Sequence, residues 1–208
     1  MTRTPLHLVA LLGTALASCA APGAPPAPTA PPELVLLFDQ LAPDGALELE
    51  FDRHGRFGDM EAEVSVALVP EVVREAVARA HPGVELTSAE REFQSGAWTW
   101  EVGFEEEGRG VQVVVSDAGE LLETERELEP WETLDEVLVA AEATLRYSTL
   151  VSVDHVTSAS GEEYHVKREL QGARYKIVVT PKGEVLRTLR EARAEIEIPV
   201  ALEVLGRP

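Results

Sequence analysis

Basic residues are scarce in this 208-residue chain: 18 Lys and Arg stand against 37 Asp and Glu, a net charge of −19. Phosphate binding requires a basic face, so a nucleic-acid partner is excluded. Adhesion to anionic lipid through a basic patch is excluded for the same reason. Cysteine occurs once, which rules out an intramolecular disulfide, a CxxC redox pair and a cysteine-based zinc knuckle. Aromatics are few, at 5%. No apolar run reaches the roughly 20 residues that a helix needs to cross a bilayer core of ~30 Å. What is present, 45% hydrophobic and 26% charged residues, suits one medium domain or two small ones around a real core.

The N-terminus has the composition of a delivery signal. Met1–Arg3 carries one positive charge, and Leu6–Leu16 is an apolar stretch broken by His7, Gly13 and Thr14. Its length fits a secretory h-region. It ends in Leu16-Ala17-Ser18-Cys19, which resembles the lipobox of bacterial lipoproteins: an aliphatic residue, two small residues, then cysteine. The resemblance implies that residues 1–18 are a signal peptide and that Cys19 becomes the lipidated first mature residue. More than one acyl chain is needed for stable anchoring. Ala20 in place of Asp after the cysteine implies the outer membrane, facing the periplasm, in a Gram-negative host. Cleavage removes Arg3 and no acid, so 17 basic and 37 acidic residues remain, a net −20. Residues 20–32, AAPGAPPAPTAPP, hold six prolines and no charge. That composition favours polyproline II and, at ~3.1 Å per residue, a spacer of about 40 Å.

Gly55, Gly119 and Gly183 recur every 64 residues, and their surroundings align without gaps. Before them, positions 47/49/51, 111/113/115 and 175/177/179 are large and apolar, the period-2 alternation of a strand with one buried face. Val69, Val73, Ala76, Val77 and Ala80 form a helical stripe started by Pro70 and stopped by His81-Pro82-Gly83. Sixty-four residues on, Leu134, Val137, Leu138, Ala141 and Leu145 form a second, with Thr133 and Glu136 at capping-box spacing. The pattern predicts helices over 70–81 and 134–146. It also predicts strands near 84–93, 97–105, 110–116, 120–128, 149–157, 162–169, 174–180 and 184–191.

The expected fold is therefore α+β: tandem helix-plus-four-strand antiparallel repeats, with helices on one face of the sheet, preceded by a partial three-stranded copy. The partial copy is 33–69, with strands at 34–40, 45–52 and 57–68. Repeat 1 is 70–133, and repeat 2 is 134–208 with a closing strand at 195–204. The motifs Val69-Pro70-x-x-Val73, Ala80-His81-Pro82-Gly83-Val84, Trp100-Glu101-Val102 and Asp117-x-Gly119-Glu120-Leu121-Leu122 resemble PepSY-like repeats, the group that includes tandem β-lactamase-inhibitor-like modules. The resemblance implies a secreted, non-catalytic module, with peptidase inhibition suggested for some relatives. It carries over no catalytic residue.

The chemistry-bearing residues support no enzyme. Mature histidines His54, His81, His155 and His165 lack any accompanying nucleophile signature, and no HExxH, calcium loop, P-loop or GxGxxG occurs. His155 and His165 would face each other across a hairpin near 159–161 as a metal pair. The equivalent positions one repeat earlier, Arg91 and Glu101, instead suggest an opposite-charge rung on a solvated face. Glu105-Glu106-Glu107 lacks fixed ligand spacing and suits a solvated turn. Trp98 and Trp100 share the apolar phase of Val102 and Phe104, so they belong to the core, with Trp131 as a further candidate for a ligand surface. No cofactor and no metal is expected.

The leading functional expectation is a non-catalytic, envelope-anchored protein-binding or regulatory lipoprotein. Its membrane contact is the lipid on Cys19. Its partner surface would be the sheet face opposite the helices, with Val114 and Val178 amid Glu48, Glu50 and Glu101, favouring a basic partner. The alternative is a structural, envelope-maintenance lipoprotein with at most weak cation association.

Overall fold

The computed structural model describes residues 40–42, 45–52, 54, 57–94 and 96–192. Cys19, the spacer, the 34–40 strand (apart from Gln40, which lies in a turn), Gly55 and the 195–204 closing strand lie outside the described residues. Ten strands and two helices follow in order. They are β1 (Leu47–Phe51), β2 (Phe57–Glu63), α1 (Glu71–Ala80), β3 (Leu86–Gln94), β4 (Ala97–Glu106), β5 (Arg109–Ser116) and β6 (Leu121–Leu128), then α2 (Asp135–Thr144), β7 (Thr149–Ser158), β8 (Gly161–Leu170), β9 (Ala173–Val179) and β10 (Val185–Arg190).

All ten strands form one sheet in sequence order, β1 to β10, each antiparallel to the next. This corrects the expected tandem-repeat architecture. β6 pairs directly with β7 over Glu123↔Ser158 to Leu128↔Val153, so the ladder runs unbroken through the place where one unit would end and the next begin. The fold is mostly antiparallel sheet, with two ten-residue helices laid on it. The 64-residue recurrence reports strand alternation and turn chemistry; backbone pairing makes the sheet a single unit. The expected partial three-stranded copy is likewise corrected: its described part is β1 and β2, the first two strands of that sheet.

Turn chemistry fixes the meander. Glu107 and Gly108 (φ 55° and 75°) join β4 to β5, and Gln171 and Gly172 (φ 53° and 79°) join β8 to β9. Two successive positive-φ residues match the right-handed twist of the flanking strands. Gly119 (φ 77°) and Gly183 (φ 79°) serve a second purpose: a Cβ on Gly119 would lie 2.7 Å from Val72 Cγ2, and one on Gly183 2.9 Å from the Glu136 carbonyl oxygen. These turns therefore let the sheet approach the first turn of each helix.

One face of the sheet carries the apolar core. Val73 and Val77 of α1 pack over Trp100, Val102, Phe104, Val111, Val113 and Val115. Val137 and Ala141 of α2 pack over Val153, Tyr164, Val166, Ile177 and Val179. Trp100 is a core residue whose Nε1 donates to Asp117 Oδ1 at 3.1 Å. Arg91 lies over the rings of Trp98 and Trp100 at 5.1 and 4.9 Å and pairs with Asp117 at 2.8 Å. Trp131 is exposed. The expected capping box at Thr133 does not form; instead Glu132 Oε2 accepts from the Glu129 amide at 2.9 Å, closing a 3-10 turn ahead of α2.

The sheet twists and curls into a half-barrel. Its two ends come within side-chain reach: Arg187 of β10 meets Glu50 of β1 at 3.3 Å, and Lys176 of β9 meets Glu48 at 4.0 Å. The helices lie outside this curl. Among the described residues, no helix is long and apolar enough to cross a membrane.

Candidate functional site on the concave face

The cross-strand register dictates what lines the concave face. Glu48, Glu61, Glu92 and Thr99 form one row across β1 to β4. Glu63, Glu90, Glu101, Val114 and Glu123 form the next across β2 to β6. Asp154, His165, Val178 and Arg187 continue across β7 to β10, with Lys167 opposite Lys176 alongside. The acids therefore concentrate on the N-terminal strands and the cations on the last three. Such a division makes the face a dipole whose two ends meet at the mouth of the curl.

Burial sets its electrostatics. Enclosure, then the neighbouring charge of Glu48, pushes the Glu61 carboxyl up to about 8, with Lys176 opposing. Glu101 is raised well above the ordinary carboxylate value, first by burial and then by Glu61, Glu90 and Glu125. Burial also leads the rise of Glu90, Glu92 and Glu123. Asp154 rises to about 6 through burial and the charge of Glu125, against the pull of Lys167 at 3.8 Å. One group settles the other way. His165 is held by Glu125 at 3.2 Å on Nδ1 and by Glu163 at 3.0 Å on Nε2. Burial alone would lower its pKa, but the bond and charge of Glu125 with the bond of Glu163 raise it. Burial would in turn raise Glu125, yet the His165 bond and charge bring it below its usual value. His165 is thus a buried imidazole whose charged form is favoured by the two carboxylates on either side of it.

Each expected site residue now has a place. Glu48 is exposed at the mouth, Glu50 sits beside it against Arg187, and Glu101 lies in the middle of the face. Val114 is half-buried, but Val178 is only 1% exposed. Val178 thus offers no exposed apolar surface on that face; it sits in the register between His165 of β8 and Arg187 of β10. His155 and His165 do not face each other. The register pairs Asp154 with His165 and His155 with Tyr164, so the two histidines lie on opposite faces, and His155 stacks on Tyr164 at 4.8 Å. The same correction applies to Arg91 and Glu101, since Arg91 pairs with Trp100 and Glu90 with Glu101. A one-residue slip of register inverts every face assignment.

Asp59, Glu61 and Glu92, which the sequence did not single out, come together with carboxylate oxygens within 4.8 Å of one another. Asp59 and Glu61 alternate along β2, and Glu92 faces Glu61 on β3. The alternation is visible in the sequence, but only the β2–β3 register brings the three together.

No family model matches the sequence, so the PepSY-like resemblance rests on its quoted motifs. No curated protein matches it. Among solved structures the chain is similar to a Bacteroides eggerthii protein described as periplasmic, at 21% identity and TM-score 0.49, over 59% of this chain and 88% of that one. It is also similar to a DUF2874 family protein of Bacteroides uniformis, at 18% and 0.49 over 59% and 89%. A BLIP-like protein of Bacteroides fragilis matches at 19% and 0.46, over 64% and 94%. At these identities and TM-scores the likeness assigns neither a function to the chain nor a role to any residue.

Proposed function

We propose that this protein is a non-catalytic, envelope-located binding module, lipid-anchored through Cys19, that receives a basic segment of a partner protein at the acidic side of its half-barrel. The observation that carries the reading is the segregation of charge on the concave face, with Glu48 and Glu50 at its mouth and Glu61, Glu90, Glu92 and Glu101 behind them. A field of one sign focused by a concave wall steers and selects a partner of the opposite sign. The absence of enzymatic activity is part of the proposal. His81, His155 and His165 meet the carboxylates of Glu106, Glu162, Glu125 and Glu163, an arrangement that leaves none of them poised beside a nucleophile. Inhibition of a peptidase is the finer form of the reading, supported by the PepSY-like motifs alone.

Affinity capture with the mature chain from envelope extract tests it. One stoichiometric partner, released by raised salt and lost with the Glu48→Lys/Glu50→Lys variant at unchanged circular dichroism, is the expected result. A partner retained by that variant would refute the acidic mouth as the surface. No stoichiometric partner would favour the envelope-maintenance role instead.

A further inference from the structure

We propose that the outward face of α2 is the contact surface of a reversible, two-fold symmetric dimer, in which α2 of one chain lies antiparallel along α2 of a second copy. Val137 and Ala141 turn inward to the core. The helical period therefore puts Asp135, Val139, Glu142 and Ala143 in one stripe on the opposite side, with Arg146 and Tyr147 just past its end, all of them exposed. Val139 is 68% exposed and Tyr147 92%. Leu138, Val139, Ala143 and Tyr147, together with Glu142 and Arg146, line an open groove of about 490 Å³.

The chain contains its own control. Sixty-four residues earlier, Glu75 and Arg79 of α1 stand where α2 has Val139 and Ala143. They meet each other at 4.0 Å, both more than half exposed, as an ordinary solvated i, i+4 pair. Gly83 (φ 87°) follows α1, and Tyr147 (φ 64°) follows α2 at the equivalent place. Glycine takes a positive φ freely, whereas a bulky side chain is an outlier there. A tyrosine held in that conformation and almost wholly exposed contributes no burial to the single chain. Strain of this kind is retained where a site uses it.

Charge decides the occupant. Asp135 opens the stripe and Arg146 closes it, and among the described residues neither has an ion-pair or hydrogen-bond partner. A second copy turned antiparallel sets Asp135 of each chain against Arg146 of the other and brings the apolar middles of the two stripes together. A two-fold axis between residues 140 and 141 achieves both in one register, and such a self-matching contact closes at two copies. It also sets the two helix dipoles in opposition, which is favourable. Repulsion between two chains of net −19 is screened beyond ~8 Å at physiological salt. One helix face is smaller than the ~800 Å² per partner of a standard interface, so the dimer is a weak one. Because α2 lies outside the curl, pairing through it is independent of any partner at the acidic mouth.

Sedimentation equilibrium of the mature chain at physiological salt tests the dimer, with the protein unlipidated and kept in reductant so that Cys19 cannot cross-link. The expected result is a reversible monomer–dimer equilibrium with its midpoint in the micromolar range. Val139→Glu and Tyr147→Gly should each weaken it at least tenfold. Tyr147→Gly also relieves the positive φ, so its melting temperature should not fall, which separates lost contact from lost fold. Arg146→Asp and Asp135→Arg should each weaken association, and the two together should restore it to within about threefold of the native chain. Glu75→Gln/Arg79→Gln on α1 should leave it unchanged. A chain that stays monomeric up to millimolar concentration, association that survives Val139→Glu, or a charge-swapped double variant no better than either single one would overturn the proposal.

Discussion

Replacing Glu61 with glutamine should change how stability responds to pH more than it changes stability itself. Glu61 is held at about 8 against an ordinary value of 4.5 by burial first and by Glu48 second. A carboxyl raised by folding binds its proton more tightly in the native state. Its contribution to stability is thus complete below pH 4.5 and is withdrawn as pH rises toward 8. At about 1.4 kcal/mol per unit, Glu61 alone withdraws roughly 3 kcal/mol between pH 5 and pH 8. Glutamine keeps the shape of the protonated acid and carries no charge at any pH. Urea denaturation in metal-free buffer at pH 5, 6, 7 and 8 is the assay. The variant should match the native chain at pH 5 and exceed it by a few kcal/mol at pH 8. Parallel curves, or a variant less stable at pH 8, would refute the claim that the face confines this carboxylate against its charge.

Three further outcomes follow from other parts of the molecule. Trp100→Ala should cost about 3–5 kcal/mol as a buried aromatic truncation, read from the denaturation midpoint; it also strips Arg91 of one ring and Asp117 of a donor. Gly183→Ala should cost roughly 1–3 kcal/mol, since φ is 79° there and the new methyl would lie 2.9 Å from the Glu136 carbonyl oxygen; a melting temperature equal to the native chain's would contradict the close helix approach. Cys19→Ser should abolish incorporation of radioactive palmitate, and labelling equal to the native chain would sink the lipobox assignment.

The local elements were largely legible. Alternation at 111/113/115 and 175/177/179 places β5 and β9, and the stripes at Val73–Val77 and Val137–Ala141 place both helices within two residues of their observed ends. Gly108 and Gly172 mark two tight turns because only a few residues accept φ > 0. Assembly was less legible. Period-2 alternation says that Glu101 and Trp100 point opposite ways, but not which residue of β3 lies across from each. That choice decides whether Arg91 meets Glu101 or Trp100, and His155 meets His165 or Tyr164. The acidic triad was hidden for the same reason: in a chain with 37 acids, only the β2–β3 register distinguishes Asp59, Glu61 and Glu92 from solvated neighbours. Curl was also invisible, because it accumulates from small twists over ten strands, and so was the burial of Val178 on the face away from the helices.

The sequential order of the strands bears on how the chain reaches this state. Among the described residues every ladder joins strands that are neighbours along the chain, so relative contact order is low for a sheet of ten strands, and low contact order goes with fast folding. Each hairpin can form as soon as its second strand is available, without waiting for a distant segment. The meeting of β1 with β9 and β10 is different: Glu50 and Arg187 are 137 residues apart. Closure of the curl is then the step that carries the large loop-entropy cost, and among the described residues the side-chain pairs Arg187–Glu50 and Lys176–Glu48 make it. Hydrogen exchange should accordingly find the outer edges of β1 and β10 opening well before the central strands, with the half-barrel widening at its mouth while its middle stays zipped.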